Sequence, residues 1–284
     1  LNEVTATGQL STAKEFLTAA RKELLERQVP PDDDRLAFLD YLFAWRESTK
    51  VESTYLHPEV LRDGRVHPTF NNFVVPTGRL NSKAPNFQNQ PADIRGMFIP
   101  RPGHVFVYGD WDALEMRLAA FISGDPELIK VFADYDAKRG PKPHIVNMAV
   151  IFGLPATKEA AEQNPGMYRA AKVFAYAVAY GAGDQTVFEQ VREELPDMSW
   201  DAFQIAIGNY RRKYKVMFDY FKNCVKRGTQ VGYLDSAILK RRVYFFERGY
   251  GDGNSPEASA MQNMPMQSGG ADVVSLASRR IMKK

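Results

Sequence analysis

Apolar side chains recur at spacings of three and four through the first fifty residues. Ser11 as an N-cap, followed by Ala13, Phe16, Leu17, Ala20 and Leu24, predicts a first helix. "PPDDD" (30–34) breaks it, and Leu36, Leu39, Leu42, Phe43 and Val51 then line one broad face of a second helix over 35–56. From Pro58 the pattern changes to alternation around Asp63-Gly64 and Thr77-Gly78, which predicts sheet or a long structured loop. "VFVYG" (105–109) reads as a fully apolar central strand covered on both faces. Leu114, Leu118, Phe121 and Ile122 predict a helix packed back on it. Residues 126–228 are mostly helical in pattern, with breaks at "KRGPKP" (138–143), "FGLP" (152–155) and "ELPD" (194–197). "GYLDSAILKRRVYFFE" returns to a strand hairpin, "RGYGDGNSPE" reads as a loop, and a helix from about Pro256 closes the chain. The order is a helical start, a sheet, a helical insertion and a return, so the fold class is α+β and helix-rich.

Composition narrows what such a chain does. With 284 residues and 44% apolar content it can bury one large core or two modest ones. No window approaches the roughly 18 uninterrupted apolar residues of a membrane span, and the start has neither a basic nor a hydrophobic leader region. A single cysteine, Cys224, excludes an internal disulfide, and His57, His67, His104 and His144 lack zinc spacing. The expected setting is the cytoplasm, in a bacterial or phage-infected cell, with no membrane partner. The chain starts at Leu1, which suggests a piece of a longer gene product. A formal charge of +3 is modest, but "RRKYK" (211–215), "KRR" (240–242) and "RRIMKK" (279–284) concentrate the cations.

Several stretches carry candidate chemistry beside a plainer reading. Asp110 follows the apolar run, where sheet ends present functional groups, but a turn aspartate occupies the same place. Glu115 would ordinarily be a surface glutamate. On the helix "YRAAKVFAYAVAYGAG" (168–183), Lys172, Tyr176 and Tyr180 fall at 0°, roughly 40° and roughly 80°, a stripe about 12 Å long. Arg169 projects at roughly 60° and shares it. Such a face suits a ligand with phosphates at one end and a flat base at the other; an amphipathic helix with core tyrosines is the plainer account. "TGRLNSKAPNFQNQP" (77–91) holds Arg79, Asn86 and Gln88, and the closing helix repeats the amide flavour with Asn263 and Gln267 at i and i+4. These side chains read acceptors in a minor groove, or simply line polar loops.

Taken together, these stretches resemble the polymerase domain of family A DNA polymerases. "WRESTKVESTYL" is similar to the family's end-of-thumb helix, and "DGRVHPTFNNFVVPTGRLNSKAPNFQNQP" to the palm segment before motif A. "DWDALEMRLAAFISGD" resembles motif A, "RAAKVFAYAVAYG" motif B, and "NMPMQSGGADVVSLA" the helix that precedes motif C.

The resemblance implies a right-hand architecture: partial thumb over 1–56, palm with an antiparallel sheet and motif A over 57–130, helical fingers over 131–250, and a return helix over 251–284. It implies that Asp110 coordinates two Mg²⁺ ions and that Lys172 and His144 meet the triphosphate of an incoming dNTP. Tyr176 would pack on the sugar and base, and Tyr180 would lie near the template base. Glu115 matches the steric gate against a ribose 2′-hydroxyl, and Arg117 a structural arginine. Arg79, Asn86, Gln88, Asn263 and Gln267 match residues along the minor groove of primer–template DNA. Tyrosine at 176 is similar to the phage type, which tolerates dideoxynucleotides.

There are departures. Tyr168 stands where the family has an arginine, with Arg169 the nearest substitute; Ser259 replaces another arginine, and Trp111 and Ala113 a usual Tyr and Gln. The family's second catalytic carboxylate belongs to a His-Asp-Glu motif, and no His-Asp dipeptide occurs in these 284 residues. Asp272 is a poor stand-in. The expectation is a template-directed DNA polymerase lacking that carboxylate and inactive alone, with a second polypeptide carrying motif C as a further partner. A non-catalytic primer–template or nucleotide-binding module, or one part of a split polymerase, is the alternative.

Overall fold

A computed structural model describes residues 14–72, 74–247 and 257–283. Ser11, Ala13 and nearly all of the 248–257 loop therefore lie outside the described residues. By their contacts the residues divide into two units, 1–70 with 82–106, and 71–81 with 107–284.

In the first unit, α1 (Lys14–Glu26) and α2 (Asp34–Val51) share a small core of Leu17, Ala20 and Leu39. Asp33 caps α2 by accepting from the backbone N–H of Arg35, and Arg21 reaches Asp40 across the pair at 2.6 Å. The predicted second helix runs on to Leu56 only as one wide π-turn. The alternating region beyond is almost all turn. Among its described residues only β1 (Thr69–Asn71) and β2 (Asn81–Lys83) pair, because prolines at 58, 68, 76, 85, 91, 100 and 102 interrupt the supply of ladder donors.

The second unit is helical: α3 (Leu114–Ser123), α4 (Pro126–Asp136), α5 (Pro143–Phe152), α6 (Lys158–Gln163), α7 (Pro165–Ala179), α8 (Asp184–Glu194), α9 (Trp200–Lys213) and α10 (Lys215–Val231). An antiparallel hairpin follows, β3 (Tyr233–Asp235) with β4 (Arg242–Tyr244), and then α11 (Ala258–Met282). No described helix is long and apolar enough to cross a membrane. The predicted breaks fall where the helices end, and prolines at the first turns of α4, α5 and α7 give up only donors that a helix start leaves unused.

Helix α7 is the centre of the main core. Ala170, Ala171 and Phe174 have no exposure, and the alanines let α5 and α8 approach closely. The Phe174 ring meets Tyr210 edge-on at 5.4 Å, and Tyr210 meets Tyr214 in the same way at 5.0 Å. The Tyr214 hydroxyl donates to Asn147 at 2.9 Å, which satisfies both buried groups. A second cluster, Cys224, Leu234, Val243, Phe245, Met261 and Met264, lies between α10, the hairpin and α11.

One expectation fails. Residues 105–109 form no strand, and Val105, Val107 and Tyr108 are 80%, 91% and 80% exposed. An apolar run becomes a covered strand only where neighbours supply hydrogen bonds on its edges and side chains on its faces, and no described strand does so. Consequently α3 packs on α4, α10 and α11 instead, and Phe121 points outward at 73% exposure.

Asp125 ties distant parts of this unit together. Its carboxylate caps α4 through the N–H groups of Glu127 and Leu128, both at 3.0 Å, and accepts from Met217 N–H at the start of α10, also at 3.0 Å. Loss of a cap together with an orphaned buried N–H costs about 3 kcal/mol. Asp125→Ala should therefore lower the melting temperature by about 5–10 °C, read by circular dichroism; an unchanged melt would show that Met217 finds another acceptor.

Candidate functional site

The second unit gathers seven of the candidate residues around the C-terminal half of α7. Helical spacing places Lys172 and Tyr176 on one face, and Tyr180 follows as the C-terminal cap. The Tyr176 and Tyr180 rings are nearly parallel, 6.4 Å apart and 23° from coplanar. His144, from the first turn of α5, sets its ring 5.7 Å from that of Tyr176. The Lys172 ammonium lies 4.5 Å over the Tyr168 ring. Tyr168 thus holds the neighbouring cation.

Glu115, in the first turn of α3, closes the group. One carboxylate oxygen accepts from the Arg79 guanidinium and the other from the Tyr180 hydroxyl. The three residues come from segments 36 and 65 positions apart. The carboxylate side chain is 19% exposed while Arg79 remains open at 48%. Burial, then the hydrogen bond to Glu115, push the Tyr180 phenol up to about 12, against the opposing pull of Arg79. Burial also raises Tyr176, with the charges of Glu115 and Asp112 adding to it.

Other elements hold these groups in place. At α3's entry Ala113 sits in the left-handed region at φ 51°, a conformation costing a residue with a Cβ about 1 kcal/mol. Arg117 anchors that entry: it donates to the Asp112 carbonyl at 2.9 Å and to both Asp136 oxygens at 2.7 and 2.8 Å. On the other side, α11 caps α7. Gln262 donates to the carbonyls of Val178 and Ala179 at 3.1 and 3.2 Å, Asn263 to that of Tyr180 at 2.5 Å, and Ser259 to that of Gly181 at 3.0 Å. Gly181 has φ +75°, and a Cβ there would meet Gln262 at 3.1 Å.

Several residues stand apart from the group. Arg169 turns to Glu194 of α8 at 2.6 Å rather than toward Lys172. Asp110 is exposed on the unpaired stretch, and no hydrogen bond or ion pair joins it to the group among the described residues. Gln267 is half-buried on α11, four residues beyond Asn263, whose amide is committed to Tyr180. Asn86 and Gln88 belong to the first unit, where the Asn86 oxygen accepts from Gln88 N–H at 3.0 Å and so spends itself on its own turn. Asp112, which the resemblance leaves without a role, acts electrostatically on His144, Tyr176 and Tyr135. Gln262 was not singled out in the sequence; Ser259, Gln262 and Asn263 at i, i+3 and i+4 on one helix are the signal that could have shown it.

Chemically the group offers a cation, two stacked half-buried rings, and a carboxylate fixed at its edge by two donors. Magnesium is tested against it through the donor set. Asp110 offers one carboxylate, and no cluster of three or more His, Cys, Asp or Glu side chains gathers among the described residues. They do not by themselves fit a magnesium pair.

Comparison with known proteins gives a consistent picture. The family model described as DNA polymerase family A matches residues 2–284. DNA polymerase I of Mycobacterium bovis is 31% identical over 259 residues, covering 87% of this chain and 27% of that protein. The thermostable DNA polymerase I of Thermus aquaticus is 30% identical over 277 residues, covering 94% and 31%. The chain thus spans under a third of the curated relatives' length. Among solved structures, the POL domain of Pol1 from M. smegmatis, in complex with DNA primer-template and dNTP, superposes with a TM-score of 0.75 at 26% identity. That match covers 97% of this chain and 46% of the other.

His144 provides a pH test of the cluster. Burial, then the neighbouring Lys172 charge, hold its pKa below the usual 6.5, with Asp112 opposing. The unfolded chain therefore binds that proton first, and stability falls as pH drops below 6.5 toward the folded value. The melting temperature of His144→Gln should fall less than that of the parent between neutral pH and the folded value; parallel curves would show that His144 is not buried as described.

Proposed function

Because the chain belongs to DNA polymerase family A, we propose that it supplies the nucleotide and primer–template binding surface of a DNA-directed DNA polymerase. The observation that carries this reading is the arrangement of Lys172, Tyr176 and Tyr180 along one face with Glu115 locked at its edge. Lys172 would hold the triphosphate, with His144, whose buried Nδ1 has no hydrogen-bond partner among the described residues, beside it. Tyr176 would pack on the sugar and base, and Tyr180 next to the template base. Glu115 is held by two donors and cannot swing aside at little cost, which suits a carboxylate whose task is to exclude a 2′-hydroxyl.

Arg79 and Gln267, with Asn86, Gln88 and Asn263, are assigned to minor-groove contacts with paired DNA, where acceptors recur at every base pair. Asn263 would serve there chiefly by holding Tyr180. Arg169, paired with Glu194, keeps only a secondary part near the triphosphate. On this reading residues 1–56 are thumb, 57–130 palm, 131–250 fingers and 251–284 the return helix. Asp110 is the one metal-binding acid assigned. The described residues do not complete its site, and no reaction step is assigned to magnesium here.

That lone acid favours a second reading for the chain by itself, a binding module or one part of a split polymerase. Both readings expect the 284-residue chain to bind a labelled primer–template with an affinity that falls steeply with salt. Extension in Mg²⁺ should be negligible, and robust extension would overturn the assignment of Asp110 as a solitary ligand. Lys172→Ala should weaken dNTP binding to that complex by about tenfold, the loss of one charged phosphate contact; unchanged binding would remove Lys172 from the site. The hydroxyl of Tyr176 further predicts that dideoxynucleotides compete with dNTPs on comparable terms, and strong rejection of the dideoxy form would remove the phage-type likeness.

A further inference from the structure

Arg241 lies on the turn between β3 and β4, within a basic cluster that the functional reading leaves unused. Its side chain is only part-exposed, at 26%. The guanidinium donates to Asp272 Oδ1 on α11 through Nε at 2.9 Å and Nη2 at 2.7 Å, and Asp272 has no exposure. The other Asp272 oxygen accepts from Leu239 N–H at 2.9 Å. Burial alone would raise the Asp272 pKa, but the Leu239, Ser236 and Arg241 donors outweigh it and hold it below the usual carboxylate range. The pair is ionised and rigid.

That rigidity is applied to another segment. Arg241 Nη2 also donates to the Thr77 carbonyl at 3.1 Å, a contact spanning 164 positions. The next residue, Gly78, has φ +80°, and its missing Cβ would lie 2.1 Å from Arg241 Nη1. The guanidinium therefore fills the place of a side chain at 78 and holds the turn by both sterics and a charged hydrogen bond. Arg79 follows immediately, and its guanidinium bonds Glu115.

We propose that Arg241, clamped by Asp272, is a positioning residue: it sets the 77–79 turn so that Arg79 holds the Glu115 carboxylate in register for choosing deoxyribose over ribose. The clamp acts through Arg79. The sugar-selection part rests on the reading of Glu115 as a gate; the positioning part rests on the contacts alone.

Two variants separate positioning from folding. Arg241→Lys keeps a cation beside the buried Asp272 but loses the planar fork that reaches Asp272 and Thr77 together. Gly78→Ala keeps both charged residues of the pair and drives the turn and the guanidinium apart. Two readouts apply, both on the full chain with primer–template. The first is the NMR shift of the labelled hydroxyl-bearing ring carbon of Tyr180, assigned by its loss in Tyr180→Phe. The second is competition between a dNTP and the matching rNTP. Both variants should move the Tyr180 signal, since Arg79 shares Glu115 with it, and should reduce the preference for dNTP by up to about tenfold, the scale of one charged hydrogen bond. Arg241→Lys should show the smaller change. A Tyr180 signal unmoved in both folded variants would overturn the proposal. Glu115→Ala tests the gate separately: an unchanged sugar preference there would sink the gate reading, and the Tyr180 signal would still decide whether Arg241 positions Arg79.

Discussion

The carbonyls of Ala179, Tyr180 and Gly181 lie at the end of α7, where a helix has no donors left of its own, and side chains of α11 are what satisfies them. Tyr180, Glu115 and Arg79 refer back to that junction. It holds Tyr180 at the helix end with its hydroxyl on Glu115. Glu115 in turn fixes Arg79. A helix end capped by water would leave the phenol, the carboxylate and the guanidinium each with its own freedom. Capped by three side chains of one helix, they share a single geometry.

The supports of the site are therefore mostly polar and mostly long-range, while the core beneath is apolar and helical. The alanine surface of α7 brings neighbouring helices close, and the Phe174, Tyr210 and Tyr214 rings lock them. That packing positions the backbone of α7, and the capping bonds then position its last residues. The two act in series, so a core change would reach the site through α7 and a change on α11 would reach it through Tyr180.

Helical periodicity and proline breaks made most of the second unit legible, because a repeat of three and four residues reports directly on a buried face. Lys172, Tyr176 and Tyr180 were legible as a stripe for the same reason. The bonds of Glu115 were not, since Arg79 and Tyr180 reach it from 36 and 65 residues away and no local pattern encodes a meeting at that distance. Arg169 shows the limit of angular reasoning: a projection near the stripe still left the long side chain able to choose Glu194. The 105–109 run shows another. Apolar composition states that a segment favours cover but not which neighbours provide it.

Gly78 and Arg241 occupy what would otherwise be one volume, and this has a consequence for how the sequence can change. While arginine stands at 241, every side chain at 78 meets a guanidinium anchored to a buried charge. If 241 became smaller first, position 78 would gain room, but Asp272 would lose its counter-charge before any benefit arrived. The two positions, far apart in sequence, are thus open to drift only in concert. Their coupling is written in one contact.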